Sequence, residues 1–330
     1  MKLRFYFLVA VVFLFGVSFA VDATALMEYA MEKDISFKQS YITYQQAVDD
    51  YQRSLVYSST KLDEISAELS FTRAKADLRS SMKSLIDRVV GGYFDILIQK
   101  IQLEILENNA TITENDLVDA QKLLEKGMVK ESDVESISLN KEKTLINIET
   151  AKKNIETSIK NIFWYLGVDS TSITIPELNP LPNINENLCL SKDIIIKQAS
   201  LSVLRSSLEL DQLVSASEYD ITKAKRNLNI AKLSYETTYH QRKNAIESTF
   251  YNLEIWKKEL ENLKKEYSLI EEELKEIKEK YEKGLADEND VLQKKNNLLS
   301  KQREILQKQK DIVTNYLKLM VDCGLFDDVR

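Results

Sequence analysis

Seven glycines and three prolines in 330 residues are too few to turn the chain as often as an all-β or α/β fold of this length requires. The shortage points to helix. A single histidine, His240, and two cysteines, Cys189 and Cys323, leave almost no material for a zinc site or for histidine-based acid–base catalysis. No catalytic constellation, metal site or cofactor motif is expected, and the chain does not read as an enzyme. After residue 20 no apolar run approaches the roughly 20 continuous residues of a membrane-spanning helix. With 45 basic against 52 acidic residues the net charge is −7, which argues against a nucleic-acid partner. Buried unpaired cysteines are common and the spacing of the two proves nothing, so their pairing is left open, leaning toward two buried thiols.

Residues 1–20 have the form of a secretory signal: Lys2 and Arg4, an apolar run from Phe5 to Phe15, then Ser18-Phe19-Ala20 as a small-x-small cleavage site. The mature chain is expected to start at Val21. No cysteine follows, so a lipid anchor there is not indicated.

What organises the chain is an internal duplication. Glu125-Lys126-Gly127-Met128-Val129-Lys130-Glu131-Ser132-Asp133-Val134 returns 157 residues later as Glu282-Lys283-Gly284-Leu285-Ala286-Asp287-Glu288-Asn289-Asp290-Val291. Tyr93-Phe94 answers to Phe250-Tyr251 at the same offset. Each short stretch reads as the tip of a helical hairpin. The glycine suits the left-handed position that closes a helix, and Met128 or Leu285 can supply the usual apolar contact. Ser132 or Asn289 is expected to cap the next helix, with Ser132 and Glu135 forming a capping box.

Helical periodicity runs from about Asp22 to Leu55, is interrupted by Tyr57-Ser58-Ser59-Thr60, and resumes from Lys61 to Lys126, about 100 Å if unbroken. A helix of that length predicts an elongated molecule. Leu103, Leu106, Ala110, Thr113, Leu117, Ala120 and Leu124 alternate steps of three and four. The repeat matches them with Leu260, Leu263, Tyr267, Ile270, Leu274, Ile277 and Tyr281, a coiled-coil seam. Gly91-Gly92 within the first long helix predicts close helix approach, or a local hinge. On the ascending helix Glu135, Glu142, Glu149 and Glu156 form a heptad-spaced column, where the repeat has Leu292, Leu299, Leu306 and Val313. The column is either a solvated face or a stripe lining a water-filled passage. All three prolines fall in a crossover, after which Ser191 opens the second repeat and Ser215-Ala216-Ser217 restates the first break.

The signal segment, the two tandem repeats, Tyr93-Phe94-Asp95-Ile96-Leu97 in mid-helix, the Gly-x4-Ser/Asn-Asp-Val tips, Leu166-Gly167-Val168 and the proline-bearing crossover together resemble the outer membrane efflux proteins, the TolC family. The resemblance covers nearly all of the mature chain. It implies an all-α chain of two long antiparallel coiled-coil hairpins, three copies of which build a twelve-helix periplasmic tunnel with tips that open and close. It also implies a membrane-fusion adaptor and an inner-membrane pump as partners. Asp290 matches an aspartate of the family's acidic ring, whereas Gln293 stands where a second is found. Tyr281 and Asp133 match closing contacts, but the basic partner's place is Ala286; for Asp133 and Asp290 the plain reading is first-turn helix stabilisation. The family inserts two β-strands in each repeat. Near Ser54-Leu55-Val56-Tyr57 and Leu213-Val214-Ser215 no alternating segment with turn glycines is found, so no transmembrane barrel is expected.

The expected organisation is a signal segment at 1–20, helical hairpin repeats at 21–168 and 189–325, a crossover at 169–188 and an acidic tail at 326–330. Two functions follow: a tunnel-forming homotrimer of an efflux or secretion system, or an exported trimeric coiled-coil spacer that spans no membrane. Both place the chain in the periplasm, with outer-membrane contact peripheral at most.

Overall fold

A computed structural model describes residues 23–166 and 184–326. The expected signal segment, the three prolines of the crossover and residues 327–330 lie outside them. In chain order the helices are α1 (Ala23–Lys33), α2 (Ile35–Tyr57), α3 (Lys61–Ile86), a π-helical turn (Asp87–Gly91), α4 (Gly92–Glu125), α5 (Glu131–Leu166), α6 (Glu186–Lys192), α7 (Ile194–Asp211), α8 (Glu218–Glu282) and α9 (Glu288–Asp322). Among the described residues there is no strand, and no helix is long and apolar enough to cross a membrane. The all-α expectation holds, and the chain divides into two compact units.

Among the described residues the first unit comprises 23–90, 184–254 and 313–326. In it α3 packs against both α2 and α7. The turn between α2 and α3 is only Ser58–Thr60. The Thr60 hydroxyl caps α3 by accepting from the Asp63 N–H at 3.2 Å, and it donates to the Asp63 carboxylate at 2.7 Å. Ser217 and Asp220 repeat both bonds at the head of α8, at 2.6 and 3.1 Å. These two breaks stand where the sequence places them. Tyr51 stacks on Phe71 at 5.0 Å to hold α2 on α3, and Leu85, Ile86, Val89, Leu317 and Val321 are buried.

The single helix expected from Asp22 to Leu55 is instead broken at Asp34. That carboxylate, 1 % exposed, caps α2 by accepting from the Phe37 N–H at 2.7 Å and also takes Arg88 of the π-helical turn at 2.5 Å. The second repeat has its own version. Asp193, 3 % exposed, caps α7 through the Ile195 and Ile196 N–H groups and accepts from Arg242 of α8 at 2.8 Å. The helix expected to open the second repeat at Ser191 starts instead after its cap, Asp193, and Ser191 lies inside α6. A short carboxylate serving a helix N-terminus with one oxygen and a guanidinium with the other has both oxygens hydrogen-bonded, which offsets the cost of burying it.

The two cysteines, whose pairing the sequence leaves open with a lean toward free thiols, are joined. Cys189 of α6 and Cys323, just after α9, form a disulfide across 134 residues of sequence. Both are buried. Around the bridge, Arg79 donates to the carbonyls of Lys192 (2.9 Å) and Asp322 (3.1 Å), while the Asp322 carboxylate takes Lys83 at 2.5 Å.

Among the described residues the second unit comprises 91–166 and 255–312. Here α4 packs on α5 as an antiparallel hairpin. The two helices approach closely at Gly92, where a β-carbon would lie 2.6 Å from Ile162 Cδ1. This is the close approach the glycine pair implies, although the π-helical turn just before it leaves no mark in the sequence. Thr113, Leu117 and Ala120 of the seam are buried as expected. Higher up, the buried positions are Ile101, Ile105 and Asn108, beside the predicted row, whose Leu103 and Leu106 are half-buried. Three ion pairs tie α8 to α9: Glu259–Lys308, Glu266–Lys301 and Glu273–Lys294, at 2.8, 2.9 and 2.8 Å. One helical heptad separates each from the next.

Candidate functional site

The two tips of the second unit share one construction. Gly127 and Gly284 both adopt φ of +70°, a conformation that glycine enters without the steric penalty of a β-carbon. Gly127 N–H bonds the Leu124 carbonyl and Met128 N–H the Leu123 carbonyl. At the second tip Gly284 bonds Tyr281 and Leu285 bonds Lys280 in the same way. This pairing closes α4 and α8 and satisfies carbonyls that a helix end leaves open. Met128 and Leu285, expected to supply an apolar contact, are 70 % and 75 % exposed.

The helix starts differ from the sequence reading. α5 begins at Glu131 and α9 at Glu288, so Ser132 and Asn289 lie inside their helices rather than capping them. The side chains that reach back are Asp133 and Asp290. Asp133 accepts from the Lys130 N–H at 3.1 Å, and Asp290 accepts from the Asp287 N–H at 3.2 Å while Asp287 accepts from the Asp290 N–H at 2.8 Å. Both aspartates therefore carry out helix-start stabilisation, and the carboxylates also suit the positive end of the helix dipole.

Gly127, Ser132, Asp133, Tyr281, Gly284, Asp290 and Gln293 are all exposed, and Asn289 is half-buried. Asn289 is the exception because it binds across the hairpins. It accepts from Asn115 at 3.0 Å and donates to Asp116 at 2.9 Å, and Asn115 also reaches Glu288 at 3.1 Å. Further along, Asn296 accepts from Asn108 and donates to Asn109, both at 2.8 Å. Arg303 bonds Gln102, Lys295 pairs with Glu104 and Lys310 with Asp95. A polar ladder thus joins α4 to α9 along most of their length within the unit. Sequence reasoning missed it because each rung links residues far apart in the chain, on positions that by period alone read as solvent-facing.

Glu135, Glu142, Glu149 and Glu156 all face solvent on α5, whereas at the matching positions of α9 Leu299, Leu306 and Val313 are buried. The two hairpins are not in equivalent surroundings. Lys160 and Lys153 bond the Glu156 carboxylate and hold its pKa below the ordinary glutamate value. Nearby, Leu139, Leu145 and Ile146 are 60 %, 49 % and 57 % exposed, so this face of α5 is apolar as well as acidic. Among the described residues no group of three or more histidine, cysteine or acidic side chains is placed to hold a metal ion.

The fold has known relatives. Over 92 % of the chain it superposes on the outer membrane protein VceC from Vibrio cholerae, with a TM-score of 0.60 and 13 % identity, covering 96 % of that protein. The Campylobacter jejuni CmeC outer membrane channel gives a TM-score of 0.57 at 12 % identity, covering 92 % of this chain and 85 % of that one. The outer-membrane channel OprN gives 0.56 at 13 % identity, covering 92 % and 89 %. No protein-family model and no curated protein sequence matches this chain. The chain has the fold of the TolC-type outer membrane channels, as the resemblance in its motifs implies.

Proposed function

We propose that this chain is a tunnel-forming component of an outer-membrane efflux or secretion system, exported to the periplasm, assembled as a homotrimer and without catalysis of its own. The observation that carries this reading is a fold shared with outer membrane channels over more than nine-tenths of the chain. The solvent-facing column from Glu135 to Glu156, with exposed leucines beside it, supports assembly with further copies around a polar passage. A membrane-fusion adaptor and an inner-membrane pump are the partners such a tunnel requires, and the exposed tips at Gly127 and Gly284 are where they would engage.

A second reading, a periplasmic trimeric spacer that spans no membrane, draws on a specific feature. Where the resemblance places barrel strands, α2 passes to α3 through Ser58–Thr60 alone, and α7 passes to α8 within a few residues. One experiment separates the two. The purified oligomer is added to planar bilayers, alone and with its adaptor, and its mass is measured by light scattering. A trimer that conducts only in the assembled system supports the tunnel, a trimer silent in both supports the spacer, and a monomer removes both.

A further inference from the structure

We propose that Cys189 and Cys323 form a redox clasp whose closure by thiol–disulfide exchange docks α6 against the end of α9. α6 has seven residues, and Cys189 is its one buried side chain. A helix of two turns has negligible stability by itself. Leu188 and Leu190 are only half-covered, and Ile184, although buried, precedes the Asn185 cap and does not fix any face of the helix. Apart from the Arg79 bond to the carbonyl of its last residue, Lys192, the attachment of α6 rests on the sulfur bridge.

Its neighbour is held by other means. α7 is capped by Asp193, which Arg242 also grips at 2.8 Å, and Arg79 fixes the Lys192 carbonyl where the two helices meet. None of these bonds involves sulfur, so reduction leaves α7 in place and frees α6 from its Glu186 end. At the matching positions of the first repeat stand Glu32 and Leu166, and the clasp belongs to the second repeat alone.

The step is a two-electron oxidation by a small-molecule disulfide such as oxidised glutathione. With α6 loose, one cysteine thiolate attacks a sulfur of the oxidant, forming a mixed disulfide and releasing one glutathione thiol. The second cysteine thiolate then attacks the protein sulfur of that mixed disulfide, releases the other glutathione and closes the Cys189–Cys323 bond. The protein gives up two electrons and two protons, which leave on the two glutathione thiols. Once closed, the sulfurs belong to residues 0 % and 2 % exposed, so an external thiolate reaches them only when α6 opens.

Hydrogen exchange on the purified chain tests the clasp, oxidised and after reduction with dithiothreitol. Reduction should lower amide protection across Glu186–Lys192 by about tenfold or more, with α3 and α7 unchanged. Oxidised glutathione should restore the protection as two titratable thiols disappear. A Cys189→Ala/Cys323→Ala variant should stay loose in α6 with or without glutathione. Equal protection in the oxidised and reduced forms overturns the proposal. So does a loss that spreads through α3 and α7, because the bond would then hold the whole unit, and so does restoration by glutathione in the alanine variant.

Discussion

Gly92 is in contact with Ile162: a β-carbon added at position 92 would sit 2.6 Å from Ile162 Cδ1 and 3.3 Å from its Cγ1. In an exposed helix, glycine to alanine gains about 1 kcal/mol. Here Ile162 is 6 % exposed and has little room to give. Gly92→Ala should therefore destabilise the α4–α5 hairpin by about 1–3 kcal/mol in denaturant melts, the range for overpacking. Adding Ile162→Val, which removes Cδ1, should recover most of the loss. A Gly92→Ala variant as stable as the parent would show that the two helices part without cost.

Tyr93, next to that contact, is 5 % exposed and its hydroxyl has no hydrogen-bond partner among the described residues. Burial pushes its pKa well above the ordinary tyrosine value. An unpaired buried hydroxyl costs about 1–3 kcal/mol, so Tyr93→Phe should leave stability unchanged or raise it. The sign with pH follows from the raised value. The folded state disfavours the phenolate, so stability is fully present below the unfolded tyrosine pKa of about 10 and falls as pH rises above it. Thermal melts from pH 8 to 11 should show that the alkaline loss is smaller in the phenylalanine variant.

The caps were legible where signal and geometry coincide in a few residues. The helix breaks ending at Thr60 and Ser217 and the glycines at 127 and 284 each need only neighbours in the chain, and all stand where the sequence places them. Ser132 and Asn289 misled because serine and asparagine are good caps in isolation, whereas Asp133 and Asp290 reach back to earlier N–H groups. Asp34, Arg79 and the disulfide were not legible at all. Each depends on a partner brought close only by packing, and no local period records it.

Asn296 stands between Asn108 and Asn109. Replacing it by alanine strands the amide of Asn108, which is 8 % exposed. A loss of about 1–3 kcal/mol is expected. A double-mutant cycle with Asn108→Ala should give a coupling of about 1 kcal/mol. Additive effects would show that the rung contributes nothing.

Glu156 should titrate below an ordinary glutamate, with Lys160 the larger cause and Lys153 the smaller. Lys160→Ala should move the carboxyl signal upward in an NMR titration. Because the folded value is the depressed one, the pairing contributes above the unfolded glutamate range and is lost as pH falls through the lowered value. All three side chains are in solvent, where the pairing is screened, so the melting temperature at neutral pH should change little with the substitution. A downfield or upfield titration at the ordinary midpoint in the parent protein would remove the pairing.

Converting Glu135, Glu142, Glu149 and Glu156 to lysine tests the tunnel reading directly. The four positions are exposed, so circular dichroism should be unchanged. Ion selectivity of the reconstituted complex should shift from cations toward anions. Unaltered selectivity would leave the column as a solvated face.

The Cys189–Cys323 bond also makes part of the chain a covalent ring, because it joins a residue near the start of the second repeat to one near its end. The tip at Gly284 lies inside that ring and the tip at Gly127 lies outside it. Lys126 and Lys283 are equally exposed to a trypsin-like protease. A nick at Lys283 should therefore leave a single molecule on a non-reducing gel, whereas a nick at Lys126 should release two fragments. Two hairpins with related tip sequences thus differ in what a broken backbone does to them.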